Sequence, residues 1–287
     1  MKIVTDSGSD IYPEQAEGLE IHSVPLVFTL DGVSYRSGID IDADEFYRLI
    51  KSTPSFPTTS QPAPGDFAEL YRTLAAEDPD ILSIHISTGL SGTMNAAKVG
   101  AGMVPEANVT FYDTRTLSGA QGWHVAAAAR AAQAGWSLER ILSMLERITA
   151  ATETVYTLAT LKYLIHGGRI SHIRGLIGSL LDIKPLIGVE KERGTYVQRG
   201  SARSLNKAVL QLADQVERQH PAGSKLRVQI LHGDNLEGAE SLRQRMTEKF
   251  DCTFLPTGAI APVLGAHTGP GLVGIVFGNA DAYADLP

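Results

Sequence analysis

The chain has 287 residues, of which 43% are hydrophobic and 20% are charged, and its formal net charge is −7. A chain of this length is typical of two domains, and the acidic balance argues against nucleic acid or an anionic membrane surface as the main partner. The single cysteine, Cys252, excludes a disulfide framework, and with no signal-peptide core and no apolar run of the ~18 residues that a membrane span needs, we expect a cytoplasmic protein.

The first half of the sequence alternates short apolar strands with helices. Strands are predicted at Lys2–Thr5, Ile21–Leu30, Val33–Tyr35, from Ile81, and at Asn108–Asp113. Helices are predicted at Glu45–Lys51, Asp66–Ala76, from Met94, and at Gly119–Ala134 and Leu138–Thr149. Such alternation is typical of βαβ units. We therefore predict an α/β protein whose N-terminal domain, residues 1–152, has three α/β/α layers and a mainly parallel sheet.

The second half of the sequence has a different rhythm. Strands are predicted at Thr154–Leu158, Lys184–Glu190, Thr195–Arg199, Arg227–His232, Thr253–Pro256 and Ile275–Phe277. Helices are predicted at Leu161–His166, Arg203–His220 and Leu236–Phe250. Hairpins together with crossovers indicate a mixed sheet with helices on one face. We predict a two-layer C-terminal α/β domain, residues 153–287, with a boundary near Ala150–Glu153.

The segment Ile81–Thr93 combines a strand, a tight turn and the start of a helix. This arrangement favours anion binding, because the first N–H groups of a helix have no partner within the helix. The hydroxyls of Ser91 and Thr93 add donors, and Gly92 permits a close backbone approach. We expect an acidic head group to bind here.

A proline-rich segment, Thr53–Gly65, precedes the next helix. Its prolines predict that no regular element forms. Thr59 and Ser60 lie in its middle, with further hydroxyl and amide side chains around them. An ordinary solvent-exposed loop is one interpretation. The other is a binding loop, because proline reduces the entropy lost when a loop adopts one shape.

Polar residues at other turns are further candidates. Arg169 follows two glycines, Arg203 lies beside a turn, and His267 stands in the glycine-rich segment Leu264–Gly274, which we expect to be a turn beside a bound group. Most arginines are solvated, and a structural role for His267 is equally open. The polar turn Asp6–Asp10 at a strand end is either part of a site or a turn that caps a short helix.

Several enzyme signatures are absent or out of context. The sequence has no P-loop and no HExxH, and one cysteine with eight scattered histidines predicts neither a metal site nor a cofactor. A GxGxxG at Gly269, Gly271 and Gly274 precedes a terminal strand instead of joining a strand to a helix. It therefore does not predict a dinucleotide site.

An alternative function is hydrolysis of acyl esters. The segment Gly89–Thr93 is similar to the nucleophile elbow of α/β-hydrolases, although Thr93 stands where that motif has glycine. Ser91 would then be the nucleophile, with Asp113 and His267 as its partners. Other histidines compete for the role of base; they are His166, His172 and His232.

Seven short motifs are spread along nearly the whole chain. Each alone is weakly specific for a protein family, but together and in this order they are strongly specific. They are Thr5–Asp10, Thr59–Pro62, Leu90–Thr93, Thr160–Leu164, Gly167–Ser171, Ile183–Pro185 and Gly265–Gly271. In this order the chain resembles the DegV family, the bacterial fatty-acid-binding proteins. It departs from that family at Ser7-Gly8-Ser9, where Ser-Thr-Ser or Ser-Thr-Ala is common; the change removes a side chain but no charge.

The resemblance implies two domains that enclose a long-chain fatty acid, such as palmitate, with Thr59 and Ser91 binding its carboxylate. It further implies that Arg203 and His267 lie near the head group. For some members it implies service as the acyl-binding subunit of a fatty acid kinase, in which a separate ATP-binding protein phosphorylates the carboxylate. On this basis we expect no catalytic residue in this chain, no nucleic-acid partner and no stable membrane insertion.

Overall fold

The computed structural model describes residues 1–173 and 183–286. Its strands are β1 Lys2–Asp6, β2 Ile21–Val24, β3 Val27–Leu30, β4 Val33–Arg36, β5 Thr58–Ser60, β6 Asp80–His85, β7 Asn108–Asp113, β8 Glu153–Thr157, β9 Lys184–Val189, β10 Tyr196–Ala202, β11 Lys225–His232, β12 Asp251–Phe254, β13 Gly258–Ala259 and β14 Val273–Asn279. Its α-helices are α1 Pro13–Ala16, α2 Ala43–Ser52, α3 Pro64–Ala75, α4 Thr93–Ala101, α5 Ser118–Gln133, α6 Leu138–Ala151, α7 Lys162–His166, α8 Leu205–Glu217, α9 Leu236–Lys249 and α10 Pro262–Thr268.

The first sheet is parallel and has the order β2-β1-β6-β7. Helices α3 and α4 cover one face, where Phe67 and Tyr71 of α3 pack with Val4 and Ile81 of the sheet. Helix α5 covers the other face, with α6 beside it. The predicted three-layer α/β/α arrangement with a parallel sheet is thus confirmed.

The second sheet is mixed and has the order β10-β9-β8-β14-β11-β12, with β13 also paired to β11. Helices α8 and α9 bury their apolar side chains, among them Leu212 and Leu242, against one face of it. This confirms the predicted two-layer arrangement. The β9–β10 hairpin and the parallel β11–β12 pair account for the mixture of hairpins and crossovers.

Helix α5 lies between the two sheets. It contacts β1 and β6 of the first sheet, while Trp123 donates a hydrogen bond from Nε1 to Gln229 Oε1 of β11 at 2.7 Å. A Cβ on Gly119 would come within 2.6 Å of the same amide oxygen. Small residues therefore let α5 approach both sheets, which explains why this alanine-rich helix is buried on nearly every side.

A third, small sheet with the order β4-β3-β5 corrects two predictions. The predicted strand Ile21–Leu30 is interrupted at Pro25, so that β2 joins the first sheet and β3 the third. The proline-rich segment does contain a regular element, because Thr59 in β5 pairs with Phe28 in β3. β5 is an edge strand of the third sheet and contains no proline itself. The prolines of the segment lie before and after β5, and prolines are tolerated at the edge of a sheet.

The glycine-rich segment near the C-terminus also differs from its prediction. It begins as helix α10, with Pro262 at the first helical turn and His267 in the last. A Cβ on Gly265 would come within 2.5 Å of the Phe46 ring of α2. The glycine therefore serves close packing between helices, and the chain turns only after α10, at Gly269 and Gly271 with φ of +68° and +94°.

Within the described ranges, none of the helices has both the length and the apolar composition needed to cross a lipid bilayer.

Candidate functional site

Ser91 lies in the loop that leads from β6 into α4. Its Oγ accepts a hydrogen bond from the Thr93 backbone N–H at 3.3 Å and lies 2.8 Å from Thr93 Oγ1. Thr93 is buried, whereas Ser91 is half-buried and faces a cavity. Thr93 thus orients the Ser91 hydroxyl at the positive end of the α4 dipole. Gly92 is the N-cap, and a Cβ there would overlap the Gln61 amide oxygen.

Asp6 holds the start of this loop. Its Oδ2 accepts a hydrogen bond from the Ile86 backbone N–H at 3.0 Å and lies 2.9 Å from His85 Nδ1, and its Oδ1 accepts from the Gly8 N–H at 3.0 Å. Asp6 and His85 are both fully buried. The polar turn at Asp6–Asp10 is thus a buried structural turn, but it does not cap the short helix α1 as one interpretation had it, because the N-cap of α1 is Tyr12.

Thr59 of β5 and His267 of α10 are in contact, beside the end of α7. Thr59 Oγ1 in β5 lies 2.8 Å from His267 Nε2 in α10. A Cβ on Gly167, at the end of α7, would overlap the His267 ring, so the backbone of that turn packs against the imidazole. Residues far apart in sequence thereby fix the Thr59 hydroxyl and the histidine in one place.

These elements line a small cavity of about 40 Å³, which we call the head cavity. Its lining residues are Leu26, Thr59, Ser60, Gln61, Ile86, Leu90, Ser91, Arg169, Tyr196, Val263, Leu264 and His267. Arg169 is the one Lys, Arg, Asp or Glu side chain among these described lining residues, so the cavity carries a positive charge. Arg169 is half-buried and donates from Nη1 to the Gly167 carbonyl at 2.9 Å.

The structure brings together most, but not all, of the predicted site residues. Thr59, Ser60, Ser91, Arg169 and His267 line the head cavity. Thr93 and Gly92 lie beside it, next to Ser91 and Gln61 respectively. Arg203 is placed elsewhere: it is exposed, directly before Ser204, the N-cap of α8, and does not line the cavity.

A second small cavity, of about 40 Å³, adjoins the head cavity, and we call it the tail cavity. Its lining residues are Leu117, Ser118, Thr154, Tyr156, Tyr196, Leu231, Ile260, Leu264, Thr268, Leu272, Gly274 and Ile275. Tyr196 and Leu264 line both cavities. The two cavities are therefore adjacent, and the head cavity has the more polar wall while the tail cavity has a mainly apolar one.

The sequence reasoning missed Tyr196, Leu264 and the remaining apolar lining residues. Tyr196 is the first residue of the hairpin strand β10, and Leu264 lies on α10, where no helix was predicted. Apolar residues on strands and helices form the core in most proteins, so nothing in their spacing distinguishes a cavity wall from an ordinary core.

Burial keeps the two cavity tyrosines protonated. It raises the pKa of Tyr196 to about 12 and raises the pKa of Tyr156 well above its ordinary value. Nearby, burial also raises the pKa of Asp10 to about 7. Asp10 accepts hydrogen bonds from the Ser118 hydroxyl and, at 2.7 Å, from the Ala261 N–H at the start of α10.

The contacts do not assemble the triad that a serine hydrolase would need. Ser91 Oγ is paired with Thr93, and His267 Nε2 with Thr59. Asp113 instead accepts hydrogen bonds from Thr88 and from the Arg115 N–H. In the described part of the chain, no hydrogen bond joins Ser91 to His267 or His267 to Asp113, so the geometry gives no support to hydrolysis.

Comparisons with known proteins agree on one family. A model of the DegV family matches residues 1–279. A DegV domain-containing protein of Lactococcus lactis is 39% identical over 277 residues, which cover 94% of this chain and 96% of that protein.

Solved structures of the same family are similar over their whole length. The Bacillus subtilis protein DegV, described as a fatty acid binding protein, has a TM-score of 0.87 at 29% identity, covering 97% of this chain and 98% of that one. A DegV family protein from Thermus thermophilus, solved for its fatty acid binding, has a TM-score of 0.85 at 32% identity, covering 97% and 99%. This chain therefore belongs to the DegV family.

Proposed function

We propose that this protein binds a long-chain fatty acid, with the carboxylate in the head cavity and the hydrocarbon chain in the tail cavity. The observation that carries the proposal is that the two cavities are adjacent, with Tyr196 and Leu264 in the walls of both. A single-chain amphiphile has the same order of properties, an anionic end followed by an apolar one. The fatty acid binding named for the Bacillus subtilis and Thermus thermophilus relatives supports this choice of ligand.

The carboxylate would be held mainly by neutral donors. The hydroxyls of Ser91 and Thr59 face the head cavity, Ser60 adds a third, and His267 lies 2.8 Å from Thr59 Oγ1. Arg169 supplies the positive charge of the cavity, and the N-terminus of α4 adds to it. This local field explains how a protein with a net charge of −7 could bind an anion.

The chain of the fatty acid would supply most of the affinity. Burying a methylene group stabilises a complex by ~0.8 kcal/mol, so about fifteen of them contribute on the order of 12 kcal/mol before costs. Loss of translational and rotational freedom and ordering of the chain offset part of this. The head group would then determine the orientation, and the tail the strength, of binding.

Residues from both halves of the chain line the two cavities, so we propose that each half is a domain and that the ligand binds between them. We propose domains at residues 1–152 and 153–287, because α6 ends at Ala151 and β8, the first strand of the second sheet, begins at Glu153. The C-terminal domain would close over the ligand through Tyr196 of β10 and through helix α10.

We further propose that the protein presents the fatty acid to a separate ATP-dependent kinase and has no catalytic activity of its own. In that reaction a carboxylate oxygen attacks the γ-phosphorus of ATP, the bond to the β–γ bridging oxygen breaks, and acyl phosphate and ADP form. The supply of ATP places the reaction in the cytoplasm. Arg203, which is exposed and outside the head cavity, would then serve the kinase and not the ligand.

Mass spectrometry of the purified, denatured protein tests the binding proposal. We expect about one equivalent of a long-chain fatty acid per chain. A protein that carries none, and that takes up none when a fatty acid is added, would contradict the proposal. Covalent labelling of Ser91 by a serine-directed fluorophosphonate would revive the hydrolase alternative.

The kinase proposal needs its own test. The loaded protein, ATP and an ATP-binding subunit from the same organism should together yield an acyl phosphate, which hydroxylamine traps as a hydroxamate. The loaded protein with ATP alone should give none. A product from this chain and ATP alone would show that it is an enzyme in its own right.

A further inference from the structure

The tail cavity contains more hydroxyl groups than an alkyl chain needs. The hydroxyl-bearing residues in its wall are Ser118, Thr154, Tyr156, Tyr196 and Thr268. A hydrocarbon chain neither donates nor accepts a hydrogen bond. Every buried hydroxyl in this wall must therefore find a partner in the protein, or remain unsatisfied at a cost in free energy.

The smaller hydroxyls have such partners. Ser118 donates to Asp10, and Thr268 donates to the Leu264 carbonyl at 3.1 Å. Thr154 Oγ1 lies 3.3 Å from Thr116 Oγ1. These groups are part of the structural network behind the wall, so they place no demand on a ligand.

The hydroxyls of the two tyrosines, unlike the serine and threonine hydroxyls, are not all satisfied by the described residues. Tyr156 is 5% exposed and Tyr196 is 8% exposed. Their rings meet edge to face with centroids 5.9 Å apart. Within the described residues, Tyr156 Oη has no hydrogen-bond partner of normal geometry, although the two phenols lie close enough to perturb each other's pKa.

A count of hydrogens shows what remains unsatisfied. Each phenol carries one O–H, and burial keeps both protonated at neutral pH. A hydrogen bond between them would use the hydrogen of only one. Among the described residues the other O–H would still lack an acceptor, and the remaining described walls of the cavity are mainly aliphatic.

The position of this spare donor relates it to the ligand. Tyr196 lines both cavities, so the phenol pair lies where the acyl chain leaves the head cavity. Gly274 of β14 is paired with Tyr156 of β8 and also lines the tail cavity, where it adds no side chain between the phenol and the space.

We propose that the tail cavity recognises a long-chain fatty acid that carries an oxygen substituent, a hydroxyl or an oxo group, on the part of the chain that passes Tyr156 and Tyr196. The inference rests on the proposed fatty acid binding and names the substrate class more narrowly. The substituent oxygen accepts the spare phenol hydrogen. A plain alkyl chain excludes water from that O–H without replacing its hydrogen bond, and sites with buried polar groups discriminate against ligands that leave them unpaired.

Competition binding tests the inference. Delipidated protein is loaded with a fluorescent fatty acid, which is displaced by stearic acid or by members of a series of monohydroxystearic acids substituted at successive carbons. We expect at least one isomer, substituted on the part of the chain that leaves the head cavity, to bind about fivefold tighter than stearic acid. Tyr156→Phe and Tyr196→Phe should each reduce this preference towards unity, while stearic acid binds as well as or better than before. Tyr35→Phe removes a phenol hydroxyl outside both cavities and should leave the preference unchanged.

The outcomes separate the two proposals. Stearic acid binding with no preference for any hydroxylated isomer would overturn this inference and leave the proposed function intact. Equal losses of stearic and hydroxystearic acid in the tyrosine variants would mean that the phenols serve the carboxylate, which also overturns it. Failure of every fatty acid to bind would overturn the proposed function and this inference together.

Discussion

At the scale of single residues, the head cavity depends on hydroxyls that other side chains hold in place. Ser91 is oriented by Thr93 beneath it, and Thr59 is paired with His267 from the other half of the chain. A hydroxyl that is already positioned loses little entropy when it binds a ligand. The candidate site therefore combines neutral donors with pre-organisation, and Arg169 supplies its charge.

The first prediction concerns the two hydroxyls together. In Thr59→Ala/Ser91→Ala we expect the lipid content, measured by mass spectrometry, to fall at least about tenfold, because two hydrogen bonds to a carboxylate are lost. The far-ultraviolet circular dichroism should stay that of the wild type. Ser241→Ala/Thr247→Ala is a matched control, since both hydroxyls bond carbonyls of their own helix, α9. Equal lipid in both variants would place the head group elsewhere.

The second prediction concerns Asp10, whose pKa burial raises from 3.8 to about 7. The folded state therefore binds a proton that the unfolded state has released. The stabilising contribution of Asp10 is complete below about pH 4 and is lost as the pH rises towards 7. The wild type should lose, from this group, on the order of 2 kcal/mol of unfolding free energy between pH 5 and pH 7.

Asp10→Asn removes this titration while Oδ1 can still accept from the Ala261 N–H. Urea unfolding at pH 5 and pH 7 measures the difference. The decline attributed to Asp10 should be absent in the variant. His124, whose pKa burial lowers to about 4, acts in the opposite direction, since its contribution is lost as the pH falls; it is unchanged in both proteins and cancels in the comparison. A variant with the same pH dependence as the wild type would contradict the assigned shift.

At the scale of elements, helix α10 organises the candidate site. Its first turn is held by Asp10 through Ala261, and its last turn carries His267. Between them, Leu264 contributes to the walls of both cavities. The helix also packs on α2, where Gly265 allows a close approach. A small displacement of α10 would therefore alter both ends of the ligand site at once.

The third prediction follows from that packing. In Gly265→Ala the new methyl group would meet the Phe46 ring at 2.5 Å, so α10 or Phe46 must move. We expect the free energy of unfolding to fall by about 1–3 kcal/mol and the lipid content to fall with it. Gly65→Ala in α3 is the control, because a Cβ there has no neighbour within 4 Å. If the two substitutions had similar effects on unfolding and on lipid content, the close packing of α10 on α2 would not be needed for stability or for lipid binding.

At the scale of the whole molecule, the cavities join parts of the chain that fold into different sheets. Thr59 belongs to the third sheet and Tyr156 and Tyr196 to the second, while Ser91 follows a strand of the first. A ligand that fills both cavities would touch all of these at once. It would then stabilise the arrangement of the sheets as well as the local loops.

The fourth prediction is that a bound fatty acid raises the thermal unfolding midpoint. At a free concentration of about 100 times its dissociation constant, a ligand stabilises the native state by about 2.7 kcal/mol. For a protein of this size we expect a rise of about 5–10 °C in scanning calorimetry. Octanoic acid at the same concentration should have a much smaller effect, because it buries fewer methylenes. Equal shifts for the two acids would argue against burial of the tail.

The sequence by itself determined the class of the fold and the identity of the head-group candidates. Apolar periodicity and turn residues are local signals, which is why the α/β/α layers, the mixed second sheet and the loop before α4 could be predicted. Motif order determined the family. Helix α10 was not predicted because glycine and proline have low helical propensity. Its formation depends on packing against α2 and on hydrogen bonds that the Ala261 and Val263 N–H groups donate to Asp10 and Ser37.

Tertiary structure alone decided which candidates meet. Thr59 and His267 are 208 positions apart, and nothing in local sequence records that they are in contact. The same holds for the exposed position of Arg203, and for the adjacency of the two cavities, which share Tyr196 and Leu264 in their walls. The physical reason is that a cavity is the space left between packed elements. Its shape depends on how all of them pack together, whereas the pattern of each strand or helix reports only which of its own faces is buried.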